Sequence, residues 1–419
     1  MLKQYVHLVL LFILFSTTNK SIAQTWTQKK DFINGYSSSA FAFSINDTIY
    51  VGNTGGRNFY KYDYTTDTWT SKSDAPAGFD DRTGSTGFAV NGKGYVIGGL
   101  NKSHAATAEL WQYDPATDSW TQKADFPGGK RAWGFAFVIG NNAYFGGGAD
   151  TVDLPGFNAA GLTDFWEYNT ITGVWTAKKD LPYDSSYLVA PFAFALGGKG
   201  YISSGSRYDI RVGHGIGEPK NTWQYDTAAN TWTAKATFPG VGREGGVSFL
   251  LNNKAYCGAG VSAGGSHSEN DYYTYTATTN KWDTLTLNSP LGGRVYPIVA
   301  TLSNNNAYIG TGWIAPGKTY YQDWWHFSPA ADEVPEKSMP LAGFNCYPVP
   351  CNDFLQVQFD DKNAGGTYTI FNAIGQLVAE GFLSIGRLIN TAPLSSGAYI
   401  IIVRNGKETG QTKFIVRKS

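Results

Sequence analysis

The chain has 419 residues, and its 33 Lys plus Arg balance 33 Asp plus Glu to a net charge of zero. That balance gives no electrostatic footprint for nucleic acid or an anionic membrane as partner. Aromatic residues make up 15%, too many for a disordered chain, and 50 glycines without a three-residue period exclude a collagen-like rod and point to turns.

At the N-terminus, Lys3 precedes the apolar run Val6 to Phe15, and Ser21-Ile22-Ala23 has the small-x-small form of a cleavage site. The run is too short to span a bilayer. Residues 1–23 therefore read as a secretory signal peptide, with a mature chain that starts at Gln24 and has no transmembrane segment. No cysteine lies near that point, so a lipoprotein anchor there is excluded. Of the three cysteines, Cys257 reads as a buried strand residue, while Cys346 and Cys351 are close enough in sequence for one local disulfide.

From Thr25 to Phe327 a two-part pattern recurs. One part is a tyrosine leading into a glycine-containing run, as in Tyr50-Val51-Gly52, Tyr95-Val96-Ile97-Gly98-Gly99 and Tyr144-Phe145-Gly146-Gly147, with further copies at Tyr201, Tyr256 and Tyr308. The other is a tyrosine and a tryptophan seven apart: Tyr62 and Trp69, Tyr113 and Trp120, Tyr168 and Trp175, Tyr225 and Trp232, Tyr275 and Trp282. Between Arg82 and Pro127 the unit reads as four strands. Thr86 to Val90 leads through the tight-turn pair Asn91-Gly92 to Gly94–Gly99; a polar loop then precedes Glu109 to Tyr113, and a turn precedes Ser119 to Lys123. Four antiparallel strands make one propeller blade, and a period of roughly 50 residues suits such a ring.

These residues resemble the kelch repeat, with its double glycine and spaced tyrosine and tryptophan. Ser203-Ser204-Gly205, Cys257-Gly258-Ala259-Gly260 and Gly310-Thr311-Gly312 depart from the double glycine. The expected fold is all-β, a six-bladed kelch-type propeller over residues 24–327. Trp26-Thr27-Gln28-Lys29-Lys30 matches the fourth strand of a blade, and Trp324-Trp325-His326-Phe327 matches a third strand with no fourth after it. The N-terminal strand is expected to complete the last blade, because open half-blades would leave unpaired edges.

Residues 328–343, rich in proline and charge, read as a linker. After it the aromatic repeat stops, and short apolar runs such as Phe354 to Phe359 and Ala398 to Val403 suggest a small β-sandwich over 344–419. Tyr347-Pro348-Val349-Pro350-Cys351-Asn352-Asp353, Ile374-Gly375-Gln376-Leu377-Val378, Leu394-Ser395-Ser396-Gly397-Ala398-Tyr399 and the closing Lys413-Phe414-Ile415-Val416 resemble the type A C-terminal sorting domain of the type IX secretion system. Val349 and Cys351 depart from the family pattern. The resemblance implies export, recognition of residues 344–419 by the secretion machinery, removal of the tail, and a secreted or cell-surface product.

Long loops between the second and third strands share one face with the loops that connect blades, and such loops on a rigid scaffold are where binding usually resides. They carry His104, Arg207, Arg211, His214 and His267, with Trp313 as an aromatic candidate for stacking on sugar rings. A second candidate set is Arg82, Arg131, Arg243 and Arg294, each thirteen or fourteen residues before the tyrosine of the glycine run, with Ser37 and Leu188 in the other two blades. This offset puts them at the entrance to the innermost strands. There they would either gather an anionic ligand or pair with local carboxylates. The histidines show no metal-site spacing, and no cofactor is expected; Tyr256 and Cys257 are adjacent in a strand and point to opposite faces, against the copper chemistry some kelch-type propellers perform. The expected function is recognition of a glycan or extracellular protein. The alternative, implied by the resemblance, is an enzyme of the sialic acid epimerase or mutarotase kind, with Glu244 beside Arg243 as acid/base.

Overall fold

A computed structural model describes residues 25–418, apart from 36, 38, 53–55, 80–81, 151–161, 184–186, 210–213, 263–264, 287–288, 304, 318, 330–338, 341–343, 360–365, 373–376, 384–387 and 406–407. The signal-peptide reading and most of the linker reading fall outside the described residues. The chain forms two compact units, one within Ile22–Ala330 and one within Ala331–Ser419. No helix of the described residues is long and apolar enough to cross a membrane.

The first unit is a ring of six four-stranded antiparallel sheets. Blade 2 shows the plan: Thr86–Val90, Lys93–Ile97, Leu110–Asp114 and Ser119–Gln122 pair in sequence order. Asn91 and Gly92 join the first two strands with φ of 53° and 71°, the two left-handed residues that a type I′ turn requires. The second strand is buried over four of its five residues because blades cover both its faces, whereas the fourth lies at the rim and is mostly exposed.

The spaced tyrosine and tryptophan are direct cross-strand partners on the third and fourth strands, with Tyr62 opposite Trp69 and their ring centroids 4.8 Å apart. Each also carries a polar tip that must be satisfied when buried. The hydroxyls of Tyr62, Tyr113 and Tyr225 donate at 2.7 Å to Asp67, Asp118 and Asn230, and that of Tyr275 at 2.8 Å to Asn280. The indole N–H groups of Trp69, Trp175, Trp232 and Trp282 donate at 3.0 Å to the carbonyls of Lys30, Ala124, Lys179 and Ala236 in the preceding blade or just after it. One spacing thus fixes both the hairpin and the joint between blades.

The last blade draws on both ends of the propeller. Ile298–Thr301, Ala307–Gly310 and Trp324–Ser328 are completed by Thr25–Lys29, with Trp26 opposite Phe327. In the second unit a five-stranded and a three-stranded sheet enclose a core that includes Leu355, Val357, Ile370, Ile401 and Phe414. The short strands Asn345–Tyr347 and Leu388–Asn390 belong to the smaller sheet and lie outside the apolar runs read from sequence. Met339–Pro340, within the expected linker, pairs in parallel with Glu408 and Thr409.

Starting the chain at Asp31 removes Thr25–Lys29 and leaves Trp324–Ser328 as an open edge. The expected outcome is a lower melting temperature and concentration-dependent association, read by calorimetry and light scattering.

Candidate functional site

The loop face is organised by one residue per blade, two positions after each arginine or its replacement. The N–H of Ser39 donates to Tyr296, Gly84 to Ser39, Trp133 to Gly84, Ala190 to Trp133, Gly245 to Ala190 and Tyr296 to Gly245, at 2.6–3.1 Å. The six bonds form a closed circle around the axis. All six residues have positive φ, between 44° and 71°. Two of them have to be glycine for a further reason. A Cβ on Gly84 would lie 2.8 Å from the Trp133 indole, and one on Gly245 would lie 2.9 Å from the Tyr296 ring. Each aromatic face therefore rests on the bare backbone of its neighbour.

A second tier surrounds this circle. The N–H groups of Gly99, Gly148, Gly205, Gly260 and Gly312 donate to the carbonyls of Arg131, Leu188, Arg243, Arg294 and Ser37 in the next blade, at 2.7–2.9 Å. This explains the imperfect double glycine. Ser204, Ala259 and Thr311 take the first position with φ of 55–61°, while the second stays glycine.

The arginines sit inside this tier and do not form an open anion site. Arg82, Arg131, Arg243 and Arg294 are 0–2% exposed. Each guanidinium is held by the carboxylate just before the third strand. Arg131 meets Asp164 with two contacts of 3.0 and 3.1 Å, and Arg294 meets Asp323 with two of 2.8 Å. Arg243 pairs with Asp271 in the same two-contact way, and Arg82 meets Glu109 through one nitrogen while the other donates to Thr107. Arg82, Arg131 and Arg243 also lie over the rings of Phe79, Phe126 and Phe238, and Arg294 over Tyr321. The carboxylates accept further bonds of 2.7–2.9 Å from Trp111, Trp166, Tyr273 and Trp325. Burial pushes the Arg82 and Arg131 pKa down, opposed by Glu109 and Asp164. Of the two readings from sequence, local pairing holds, because a fully desolvated cation needs its carboxylate and these guanidinium groups are closed off from solvent. Blades 1 and 4 support this: they have Ser37 and Leu188 in place of arginine, and Asn58 and Asn221 in place of the carboxylate.

The loop candidates are dispersed over several blades. His104 lies exposed on a blade 2 turn with φ of 58°, and His267 lies exposed on the short blade 5 ribbon. Trp313 is partly buried and bridges to Val295. In blade 4, Tyr187–Val189, Ser206–Asp209 and His214–Gly217 form a three-stranded flap. It places Arg207 over the Tyr183 ring, 5.6 Å from its centroid. Arg211 and the His214 side chain lie outside the described residues.

Two features were not anticipated. The first is a cavity of about 240 Å³ on the axis, lined by the circle residues with Ser85, Thr86, Pro191 and Pro297 among others. Trp133 and Tyr296 come from blades 3 and 6, opposite members of the ring, and both border the cavity. Neither belongs to the seven-residue spacing. The signal that locates them is the arginine offset itself, read two residues further on.

The second concerns Glu244. In blades 3 and 6 the position after the arginine is apolar and buried: Ala132 packs with Leu100 and Ala106, and Val295 with Val261 and Ala315, while blade 2 has Thr83 there. Blade 5 puts a carboxyl there, on backbone that pairs with Val261 as Ala132 pairs with Ala149. Burial, with the nearby Glu218 charge, pushes its pKa from 4.5 up to about 7 against a hydrogen bond from Ser206. Its Oε2 is buried with no hydrogen-bond partner. Arg243 is committed to Asp271 and does not form the pair with Glu244 suggested by their adjacency. Glu244 is also absent from the axial cavity lining. A near-neutral carboxyl at a buried position of this kind is suited to proton transfer.

Replacing Arg131 by leucine strands Asp164 and is expected to lower stability by about 3–5 kcal/mol. The double change Arg131→Leu/Asp164→Asn recreates the blade 4 pairing and is expected to lose clearly less than the single change, as read by urea unfolding. For Glu244 the folded pKa lies above the unfolded one, so its favourable contribution is complete below pH 4.5 and is lost as pH rises to about 7. Glu244→Gln should therefore match the parent in melting temperature near pH 4 and exceed it near pH 8.

The comparisons with known proteins agree with this architecture. The profile of the "Kelch motif" family matches residues 81–127, and that of the "Secretion system C-terminal sorting domain" family matches residues 345–417. The "Kelch-like protein terF" of Aspergillus terreus is 26% identical, covering 67% of this chain and 60% of that protein. An N-acetylneuraminate epimerase of Yersinia enterocolitica is 31% identical over 31% of this chain and 34% of its own, and one of Haemophilus influenzae is 25% identical over 64% and 66%. The chain thus spans less than two thirds of each of these relatives. The solved "Structure of YjhT" superposes with a TM-score of 0.58 at 20% identity, covering 70% of this chain and 95% of that one, which is a likeness of fold. Six blades, the repeated motif and the matched tail together make the chain a kelch-repeat β-propeller protein with a C-terminal sorting domain of the type IX secretion system.

Proposed function

We propose that this is a secreted or cell-surface propeller that binds carbohydrate at the loop-face mouth of its axial channel. The observation that carries the reading is the pair of aromatic faces, Trp133 and Tyr296, held flat over Gly84 and Gly245 on opposite sides of the axial cavity. Flat, preorganised rings beside hydroxyls such as Ser39 offer a sugar its two usual contacts, stacking and hydrogen bonding. The sorting tail supports a location outside the cell, where glycans are displayed.

A glycan array with the purified protein tests this. Binding to at least one sugar class is expected, and Trp133→Ala is expected to weaken it at least about tenfold, since loss of a buried aromatic anchor removes roughly 2 kcal/mol or more. Tyr296→Ala should act in the same direction. Absence of binding on the array, or binding indifferent to both changes, contradicts the reading.

A second reading, sugar interconversion, is supported by the raised pKa of Glu244 and by the relatives named N-acetylneuraminate epimerase. In this reading Glu244 beneath the blade 4 flap exchanges a proton with the substrate. Interconversion of added N-acetylneuraminate, followed by NMR and lost in Glu244→Gln, supports it. An inert parent protein removes it and leaves binding.

A further inference from the structure

The tail holds two thiols placed as a pair, and neither belongs to the binding reading of the propeller. Cys346 lies on Asn345–Tyr347, opposite Val357 in the three-stranded sheet. Four residues then turn the chain back, and Cys351 pairs with the last strand of the five-stranded sheet. Its N–H donates to Ile415 at 2.8 Å, and its carbonyl accepts from Arg417 at 2.9 Å. Both side chains point inward, 6% and 2% exposed, and share one core with Leu355, Val357 and Val416. Both are free thiols in this structure.

We propose that Cys346 and Cys351 are oxidised to a disulfide during export, which staples the two sheets of the sorting domain together at its first turn. Each S–H gives up its proton, the two sulfurs lose two electrons, and an S–S bond forms. A disulfide-bearing thiol oxidase of the exporting compartment accepts the electrons, its own S–S bond breaking into two thiols. Export places the chain where such bonds persist. The third cysteine, Cys257, lies far away in sequence, in a propeller strand, while Cys346 and Cys351 are held close by the short turn between them even before the domain closes.

The same burial sets the order of events. Burial, reinforced by the neighbouring Cys351, pushes the Cys346 pKa up to about 12, so Cys346 holds almost no reactive thiolate in the folded domain, and both thiols are shielded from an outside oxidant by the core. Oxidation therefore precedes closure of the core. A chain that folds reduced stays reduced, and a chain oxidised first folds around a sealed bond.

The test uses the full chain, exported to the periplasm of a host and also made in its cytosol. Each sample is denatured, alkylated with and without prior reduction, and weighed intact. The exported chain is expected to take one adduct before reduction and three after it, matching its three cysteines. The tryptic peptide from Ser338 to Lys362, which contains both, should be lighter by two hydrogens before reduction. The cytosolic chain should take three adducts throughout, and should stay unoxidised when treated in its folded state with oxidised glutathione. Exported Cys346→Ser and Cys351→Ser chains should each take two adducts before reduction. Three adducts on the unreduced exported chain, or a bond joining two separate chains, overturns the proposal.

Discussion

Everything on the loop face depends on the closed circle of backbone hydrogen bonds at the axis. Each blade gives one N–H to the carbonyl of the blade before it, and the sixth returns to the first. A backbone donor and acceptor pointing along a ring in this way require the left-handed conformation, and all six residues adopt it although four are not glycine. Single left-handed residues of that kind are strained, and they persist because the surrounding contacts over-determine them. Here the surrounding contacts are the outer tier of glycine amides and the buried arginine pairs. The arginines thus serve the axis indirectly, by fixing the loop carbonyls that the two tiers use.

That hierarchy separates residues that build the mouth from residues that meet the outside. In the buried Arg–carboxylate clusters the terminal nitrogens are taken up inside the blade: a carbonyl, a carboxylate and an aromatic face each take a share of the Arg131 guanidinium. Trp133 and Tyr296 border the axial cavity, and Glu244 sits where blades 3 and 6 have an apolar side chain. The last two features depart from the repeat, and departures from a repeat are where function is added to a scaffold.

Much of the fold was legible in the sequence. The Asn91-Gly92 turn, the seven-residue tyrosine–tryptophan spacing and the tyrosine–glycine runs all encode local geometry, and local geometry survives translation into three dimensions. The arginine offset was legible as position and misleading as a crown of ligands, because spacing along a chain does not name the partner. The partner was nevertheless present in the letters. Glu109, Asp164, Asp271 and Asp323 become Asn58 and Asn221 in the blades without arginine. Trp133 and Tyr296 stayed hidden among many packing aromatics, because the offset that locates them, two residues past each arginine, gains a meaning only when the circle of backbone bonds is known. Glu244 was noticed for its neighbour Arg243. What sets it apart is a buried carboxyl oxygen left without a hydrogen-bond partner and a pKa raised by burial, neither of which its adjacency to Arg243 discloses.

The way the ring is fastened makes its two ends unequal. The propeller leaves its final blade at Ser328, and the outermost strand of that blade is supplied by Thr25–Lys29. A protease that severs the chain between Ser328 and Met339 discards the tail without taking a single rung from any propeller ladder. Trimming by only a few residues beyond Thr25 at the opposite end would instead pull out the clasp. The propeller therefore tolerates an imprecise cut after its last blade and does not tolerate one within its first strand.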